Sequence, residues 1–268
     1  MTAQTIQDIE VLVSDNCSPN PNVERVARRY AAHDSRVRVF RQPTNLGLIG
    51  NHQFVKDQAR GKYFMWAHDD DEFPTNYIEA CLNHFGDAPD VVLVGPNCDR
   101  YFDGKYFSTF SNYSNVGLGT YERLRLLMYD AFEDPWRFEQ YWHGLFLLNA
   151  GPRFVCKELL AACVFHHFIV LAERGTIAHA AEATLIKHTT QQNFDYYAAN
   201  PLRRWRRTLA IQLLRIIWTS KRLRPSEKAQ LAGQCLYQFA YQSARRLLRR
   251  ALRSLSERLQ RWSKHFDH

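Results

Sequence analysis

Along its first hundred positions the chain changes hydrophobic period at regular intervals. Ile9 to Asp15 (IEVLVSD) is a short β-branched run, positions 22–34 (NVERVARRYAAHD) hold Val23, Val26, Ala27, Tyr30 and Ala31 at helical spacing, and positions 36–42 (RVRVFRQ) alternate like a strand. The pattern then repeats. Positions 47–61 read as a helix stopped by Gly61, 62–69 (KYFMWAHD) as a buried strand, 74–86 as a helix between Pro74 and Gly86, and 90–96 (DVVLVGP) as another buried strand. Strands alternating with such helices predict an α/β fold, a Rossmann-like, mostly parallel, doubly wound sheet flanked by helices. Ligands of such sheets bind beyond the carboxyl ends of the strands, so Ser14-Asp15-Asn16 and His68 to Asp71 are expected to converge on one crevice.

Beyond Asp99 the regular period fades. Positions 99–149 are aromatic, polar and irregular, and their rings either line a sugar or acceptor site or form satellite core under long loops. Glu158 to Gly175 reads as a buried helix and 176–190 as a helix-to-strand segment. In 201–225 and 236–266, apolar residues recur at helical spacing between arginines. Leu236, Phe239, Ala240, Ser243, Leu247, Leu248, Ala251, Leu255 and Leu259 form one stripe of the second segment.

Charge sharpens this division. The net charge of +8 conceals a tail from Pro201 with 17 basic and 3 acidic residues, behind a body of net −6. An amphipathic helix with arginine on one face and Trp or Leu on the other suits an anionic membrane surface. The alternatives are a helical pair packed on the body and, with no recognised motif to support it, nucleic acid. No apolar run approaches the roughly 20 residues needed to cross a bilayer, and no signal segment opens the chain. A cytoplasmic location is therefore expected, peripheral at the inner face of the cell membrane if the tail meets lipid. With 46% hydrophobic residues in 268, the chain can bury a substantial core and is not of the disordered class. Six scattered cysteines without a Cys-x-x-Cys pair argue for reduced, buried thiols.

Asp69, Asp70 and Asp71 repel one another, and a fold that keeps them ionised at a strand end needs a compensating cation. A hard divalent ion, Mn²⁺ or Mg²⁺, would supply it and could neutralise charge on a departing diphosphate. The plainer reading is a solvated acidic loop at the start of the helix near Pro74.

Three stretches in order and spacing over residues 8–86 resemble the family 2 glycosyltransferases of GT-A fold: EVLVSDNCS, NLGLIGNHQFVKDQARGKYFMW, and the acidic motif followed by proline and an aromatic. The resemblance implies a nucleotide-sugar-binding half over 1–98, shortened at its N-terminus, and an acceptor-side half over 99–200; the helical spacing and charge of 201–268 add a basic amphipathic C-terminal helical extension. It implies that Asp15 contacts the nucleotide base, with Asn16 and Ser18 shaping the turn and Asn45 and Gly47 forming the loop before a helix. Asp69 and Asp71 match the outer carboxylates of an Asp-x-Asp motif that holds the metal and contacts diphosphate and ribose. Asp70 lies between them, leaving the register open by one residue. His188 falls where several members place a late histidine near the phosphates or metal. The implied activity is inverting transfer from a nucleotide-diphosphate sugar, UDP ahead of GDP or dTDP, to a glycan or lipid-linked acceptor.

Two departures accompany the matches. The family's first strand and helix do not precede IEVLVSD; MTAQTIQDIEV matches the end of that helix and the second strand, which would leave an open sheet edge beside Asp15. Either an upstream coding segment or a shortened copy would account for this. The general-base position, near Cys163-Val164, holds no carboxylate. Glu158 and His166 are the nearest candidates, with Asp130, Glu133 or Asp134 as bases from elsewhere. The alternative to an enzyme is a non-catalytic remnant that serves as a binding or scaffold protein.

Overall fold

The computed structural model describes residues 1–86, 90–110, 114–133, 139–153, 160–190 and 205–263. In chain order the elements are β1 (Val11–Asp15), α1 (Pro21–His33), β2 (Val37–Arg41), α2 (Gly47–Gln58), β3 (Tyr63–Phe64), β4 (Asp71–Glu72), α3 (Tyr77–Asn83), β5 (Val91–Phe102), β6 (Lys105–Phe110), α4 (Thr120–Glu133), α5 (Glu139–Trp142), β7 (Leu145–Leu147), α6 (Leu160–Arg174), β8 (Thr176–Thr189), α7 (Trp205–Thr219) and α8 (Pro225–Ser263). The expected alternation of strand and helix holds through α2 and resumes at α3 and β5, broken where β4 follows β3 directly.

Sheet pairing is mixed. β1 and β2 form a parallel two-stranded ribbon, in register from Val11 opposite Val37 to Asp15 opposite Arg41. The other six strands form a second sheet in the order β3-β7-β5-β8-β4, with β6 on β5. There β5–β8 is parallel, whereas β3–β7, β5–β7, β5–β6 and β4–β8 are antiparallel. One reason is that β5 returns through a hairpin at Asp103 and Gly104, both with positive φ, instead of crossing over by a helix. The aromatic stretch after Asp99 divides between core and surface. Tyr141, Trp142 and Phe132 are core, while Tyr106 and Phe107 stand exposed on β6.

Three local expectations are corrected. Positions 62–69 pair over Tyr63–Phe64 alone, and the chain then runs on without a ladder to β4. Residues 1–10 are not the end of a helix; they form an irregular strap. Gln4 donates to the Pro74 carbonyl at 2.6 Å and accepts from Ile78 N at 3.0 Å, and Arg36 reaches the Thr2 carbonyl at 2.8 Å. Positions 176–189 are strand throughout. Their alanines look helical, but Ala178, Ala180 and Ala183 are buried in the sheet, where packing against β5 overrides propensity.

The tail joins the core. Leu209, Leu213 and Ile217 of α7 and Leu231 and Cys235 of α8 pack in one cluster with Leu127 of α4 and Phe168 of α6. The packed face of α8 also includes Gln238 and Gln242, so it is rotated from the expected stripe; Leu236, Leu247 and Leu248 of that stripe are exposed. Asp130 and Glu133 lie on α4 with side chains outside the described residues, as Asp134 and Glu158 are altogether. Cys17, Cys81, Cys98 and Cys235 are free thiols, the last three buried.

Arg123 ties α4 to α6. Buried, it donates from Nε to Ala172 O at 2.8 Å and from Nη1 to Leu118 O at 2.6 Å. Arg123→Met keeps the stem's packing but removes these charge-assisted bonds, so chemical denaturation should show a loss of about 1–2 kcal/mol.

Candidate active site

The first polar cluster forms where β1 ends. Parallel register puts Asp15 beside Arg41, and the Asp15 carboxylate, with no side-chain exposure, pairs with the Arg41 guanidinium and accepts from Ser18 N at 2.8 Å. Burial alone would raise its pKa, but the Ser18 donors and Arg41 outweigh burial and hold the carboxyl below its ordinary value. Cys17 takes a left-handed φ of 63°, which turns the chain sharply after Asn16. Asn16 donates to Asn45 Oδ1 at 3.0 Å and accepts from Leu46 N at 2.8 Å. Gly47, at φ 71°, supplies the left-handed corner that opens α2. Asp15, Asn16, Asn45 and Gly47, distant in sequence, thus share one turn.

α2 joins this turn to the acidic stretch. Asn51 pairs with Ser14, Oδ1 accepting from the hydroxyl at 2.7 Å and Nδ2 donating to the carbonyl at 3.2 Å. The next residue, His52, packs its ring against Trp66 at 4.7 Å and His68 at 5.8 Å between centroids. The two clusters expected at the strand ends are therefore bridged by adjacent residues of one helix.

The three aspartates divide between two environments. Asp69 and Asp70 are exposed and offer oxygen alone, the donor type that Mn²⁺ and Mg²⁺ take. Asp71 turns inward with its side chain fully buried. Its Oδ2 lies 3.4 Å from Lys187 Nζ, 3.4 Å from His143 Nε2 and 3.8 Å from His68 Nδ1. Lys187 arrives because β4 pairs antiparallel with β8, setting Asp71 opposite Lys187. His143 arrives from the turn before β7. Its Nδ1 meets Trp66 O at 3.0 Å, and its own carbonyl accepts from Tyr77 Oη at 2.8 Å. Burial first, then Lys187, keeps both imidazoles neutral: His68 is lowered to about 3 and His143 well below its usual value.

The remaining sequence candidates lie apart from this group. His188 is in β8, bonded through Nε2 to Glu72 Oε1 at 2.7 Å, with Tyr101 beside its ring. His166, in α6, is lowered to about 4 by burial and then by Arg215 and Arg174. Its charged neighbours are thus arginines rather than the acidic stretch. His52, His143, Lys187 and Arg41 were not singled out in the sequence. Only Arg41 left a signal, since two parallel strands ending together set their last residues side by side.

Comparison with known proteins fits this picture. The chain is 30% identical over 91 residues to the putative glycosyltransferase EpsH of Bacillus subtilis, covering 34% of this chain and 26% of that one. The fold is similar to S. aureus TarS 1-349 in complex with UDP, at TM-score 0.60 and 12% identity, over 88% of this chain and 64% of that one. The same TarS fragment in complex with UDP-GlcNAc matches at TM-score 0.57 and 12% identity, over 88% of this chain and 66% of that one. The chain thus spans about a quarter or less of the curated relatives it matches and under two thirds of the first TarS structure. At such identity the structural likeness speaks for the GT-A fold alone. The model of the family described as "Glycosyl transferase family 2" matches residues 1–145. With more than half of its length matched in this way, the chain belongs to glycosyl transferase family 2.

Proposed function

We propose that this glycosyltransferase moves a sugar from a nucleotide-diphosphate donor, a UDP-sugar ahead of GDP- or dTDP-sugars, to a glycan or lipid-linked acceptor, with inversion at the anomeric carbon. The observation that carries the reading is the bridge through Asn51 and His52, adjacent residues of α2 that touch Ser14, next to Asp15, and His68, next to Asp69. In this reading residues 1–98 hold the donor: Asp15, Asn16 and Asn45 on the base side, Asp69 and Asp70 on the diphosphate. Residues 99–200 face the acceptor, with the exposed Tyr106 and Phe107 covering a sugar face.

Mn²⁺ or Mg²⁺ would be met by the exposed carboxylate of Asp69, with Asp71 and His188 as the further ligands the family motif implies, and when bound would neutralise charge on the departing diphosphate. His188 would have to leave Glu72 to take part. Glu158 or His166 would take the proton of the acceptor hydroxyl. The arginines and exposed Leu247, Leu248 and Leu252 of α8 suit an anionic leaflet at the cytoplasmic face, where a lipid-linked acceptor would be held. No described helix is long and apolar enough to cross a membrane.

A second reading, the non-catalytic remnant, draws on the ribbon: among the described residues β1 pairs with β2 alone, so the strand carrying Asp15 has an open edge. Calorimetric titration of UDP, then GDP, with and without Mn²⁺ separates the two readings. Metal-dependent binding that weakens about tenfold or more in Asp69→Ala is expected of the enzyme. Absence of any nucleotide binding by the folded protein would support the remnant.

A further inference from the structure

The group around Asp71 has a geometry that the donor-site reading uses only through Asp71 itself, leaving His68 and His143 without a role. One ring nitrogen each of His68 and His143 and a carboxylate oxygen of Asp71 lie within 4.8 Å of one another, two of the three residues coming from the acidic stretch and His143 from the turn before β7. His143 is oriented for ligation. Trp66 O accepts from Nδ1, which fixes the neutral tautomer with its lone pair on Nε2. That nitrogen, fully buried and with no hydrogen-bond partner among the described residues, points at Asp71 Oδ2 from 3.4 Å. A lone pair facing a carboxylate oxygen is repulsive unless a proton or a cation lies between them. The carbonyl that fixes a ligating imidazole from its far side is a common support for bound metals.

Two of the three spacings suit a single small ion. Ligands about 2.1 Å from a tetrahedral centre stand about 3.4 Å apart; the His143–Asp71 separation is 3.4 Å and the His68–Asp71 separation 3.8 Å. Lys187 already faces the same oxygen, but at 3.4 Å its contact is longer than the roughly 2.7–2.9 Å of a tight charge-assisted bond. Two imidazoles and one carboxylate favour borderline ions such as Zn²⁺ or Co²⁺ over Mg²⁺.

We propose that His68, Asp71 and His143 form a three-ligand site for one zinc-type divalent ion, separate in donor chemistry from the exposed Asp69–Asp70 pair. Of the three, His68 alone has a partly exposed side chain (32%). Asp71 is shared with the family motif and on this proposal serves the zinc-type ion; because the test needs neither nucleotide nor turnover, its failure is distinguishable from failure of the glycosyltransferase reading.

Cobalt tests it directly. Titrating tag-free, full-length protein with Co²⁺ in the absence of nucleotide should give visible absorption bands of a tetrahedral nitrogen–oxygen site, saturating at one equivalent. Zn²⁺ should bleach them and Mg²⁺ in about hundredfold excess should not. His143→Ala removes a buried ring and is a poor probe if it unfolds. The decisive variant is His68→Ala at the rim, which should weaken Co²⁺ binding at least about tenfold with an unchanged circular dichroism spectrum. Asp69→Asn combined with Asp70→Asn should leave the bands intact. Bands that survive His68→Ala, bands lost with the Asp69/Asp70 pair, or a folded wild-type protein that shows no bands would each overturn the proposal.

Discussion

Gly144→Ala is expected to destabilise the protein by about 3–4 kcal/mol, the upper end of what overpacking costs. A Cβ at this position would lie 2.6 Å from Val94 O, 2.8 Å from Leu93 Cδ1 and 3.0 Å from Tyr141 O. Two of these are backbone oxygens, and the Val94 carbonyl belongs to β5, in the middle of the sheet, so no flexible side chain can give way. Either β7 withdraws from β5 or the turn carrying His143 shifts. Both break the geometry at Asp71, because His143 is held between Trp66 O and Tyr77 Oη. In a thermal melt the loss should appear as a midpoint lower by about 6–16 °C for a chain of this size. An unchanged midpoint would mean that the close packing of β7 on β5 does not exist in solution.

The second large effect is at the other end of the site. Asp15→Asn removes the charge from a carboxylate whose side chain is fully buried, leaving Arg41 without its partner there and Ser18 N without a charged acceptor. Removing one member of a buried pair costs roughly 3–5 kcal/mol, and because Arg41 is about a third exposed to screening water, about 2–3 kcal/mol is expected here. The effect should depend on pH with a definite sign. Asp15 titrates below its ordinary 3.8 when folded, so its contribution is complete above that value and disappears as pH falls through the lower folded value. Denaturation of the wild type and of Asp15→Asn should therefore differ most near neutrality and converge as pH drops below about 4. A constant difference down to the acid limit would show that the charge on Asp15 is not what stabilises the turn.

How much of this could be read from the chain depends on where the information resides. The β1–α1–β2–α2 sequence was legible because each element carries its own period, and the Asp15–Asn16 turn was legible because family resemblance fixed its place. The acidic triplet was found, but its division was not. The outward direction of Asp69 and Asp70 and the inward direction of Asp71 follow from β4 pairing with β8, a contact made across more than a hundred residues. For the same reason Lys187 and His143 left no signal: neither lies in a periodic pattern that points at Asp71. The β8 alanines misled because alanine's helical preference is intrinsic, while its burial against β5 is decided by the rest of the fold. On α8 the helical spacing was right. Its face was misjudged because Gln238 and Gln242 are buried where leucines are not.

The two-stranded ribbon carries a consequence for affinity. Val11–Asp15 and Val37–Arg41 share a ladder with each other and, among the described residues, with no strand of the larger sheet. Their ties to the body run through α2 and scattered polar contacts, such as Ser14 to Asn51 and Arg60 N to Glu10. A unit tied in that way opens on its own, at a free energy below that of global unfolding. Any ligand that needs the Asp15 turn closed is bound only by the closed fraction, so its apparent dissociation constant is the intrinsic one divided by that fraction. Substitutions that stiffen the ribbon far from the ligand would tighten binding toward the intrinsic limit without adding a contact, and amide exchange in β1 would slow in proportion to the fall in the open population.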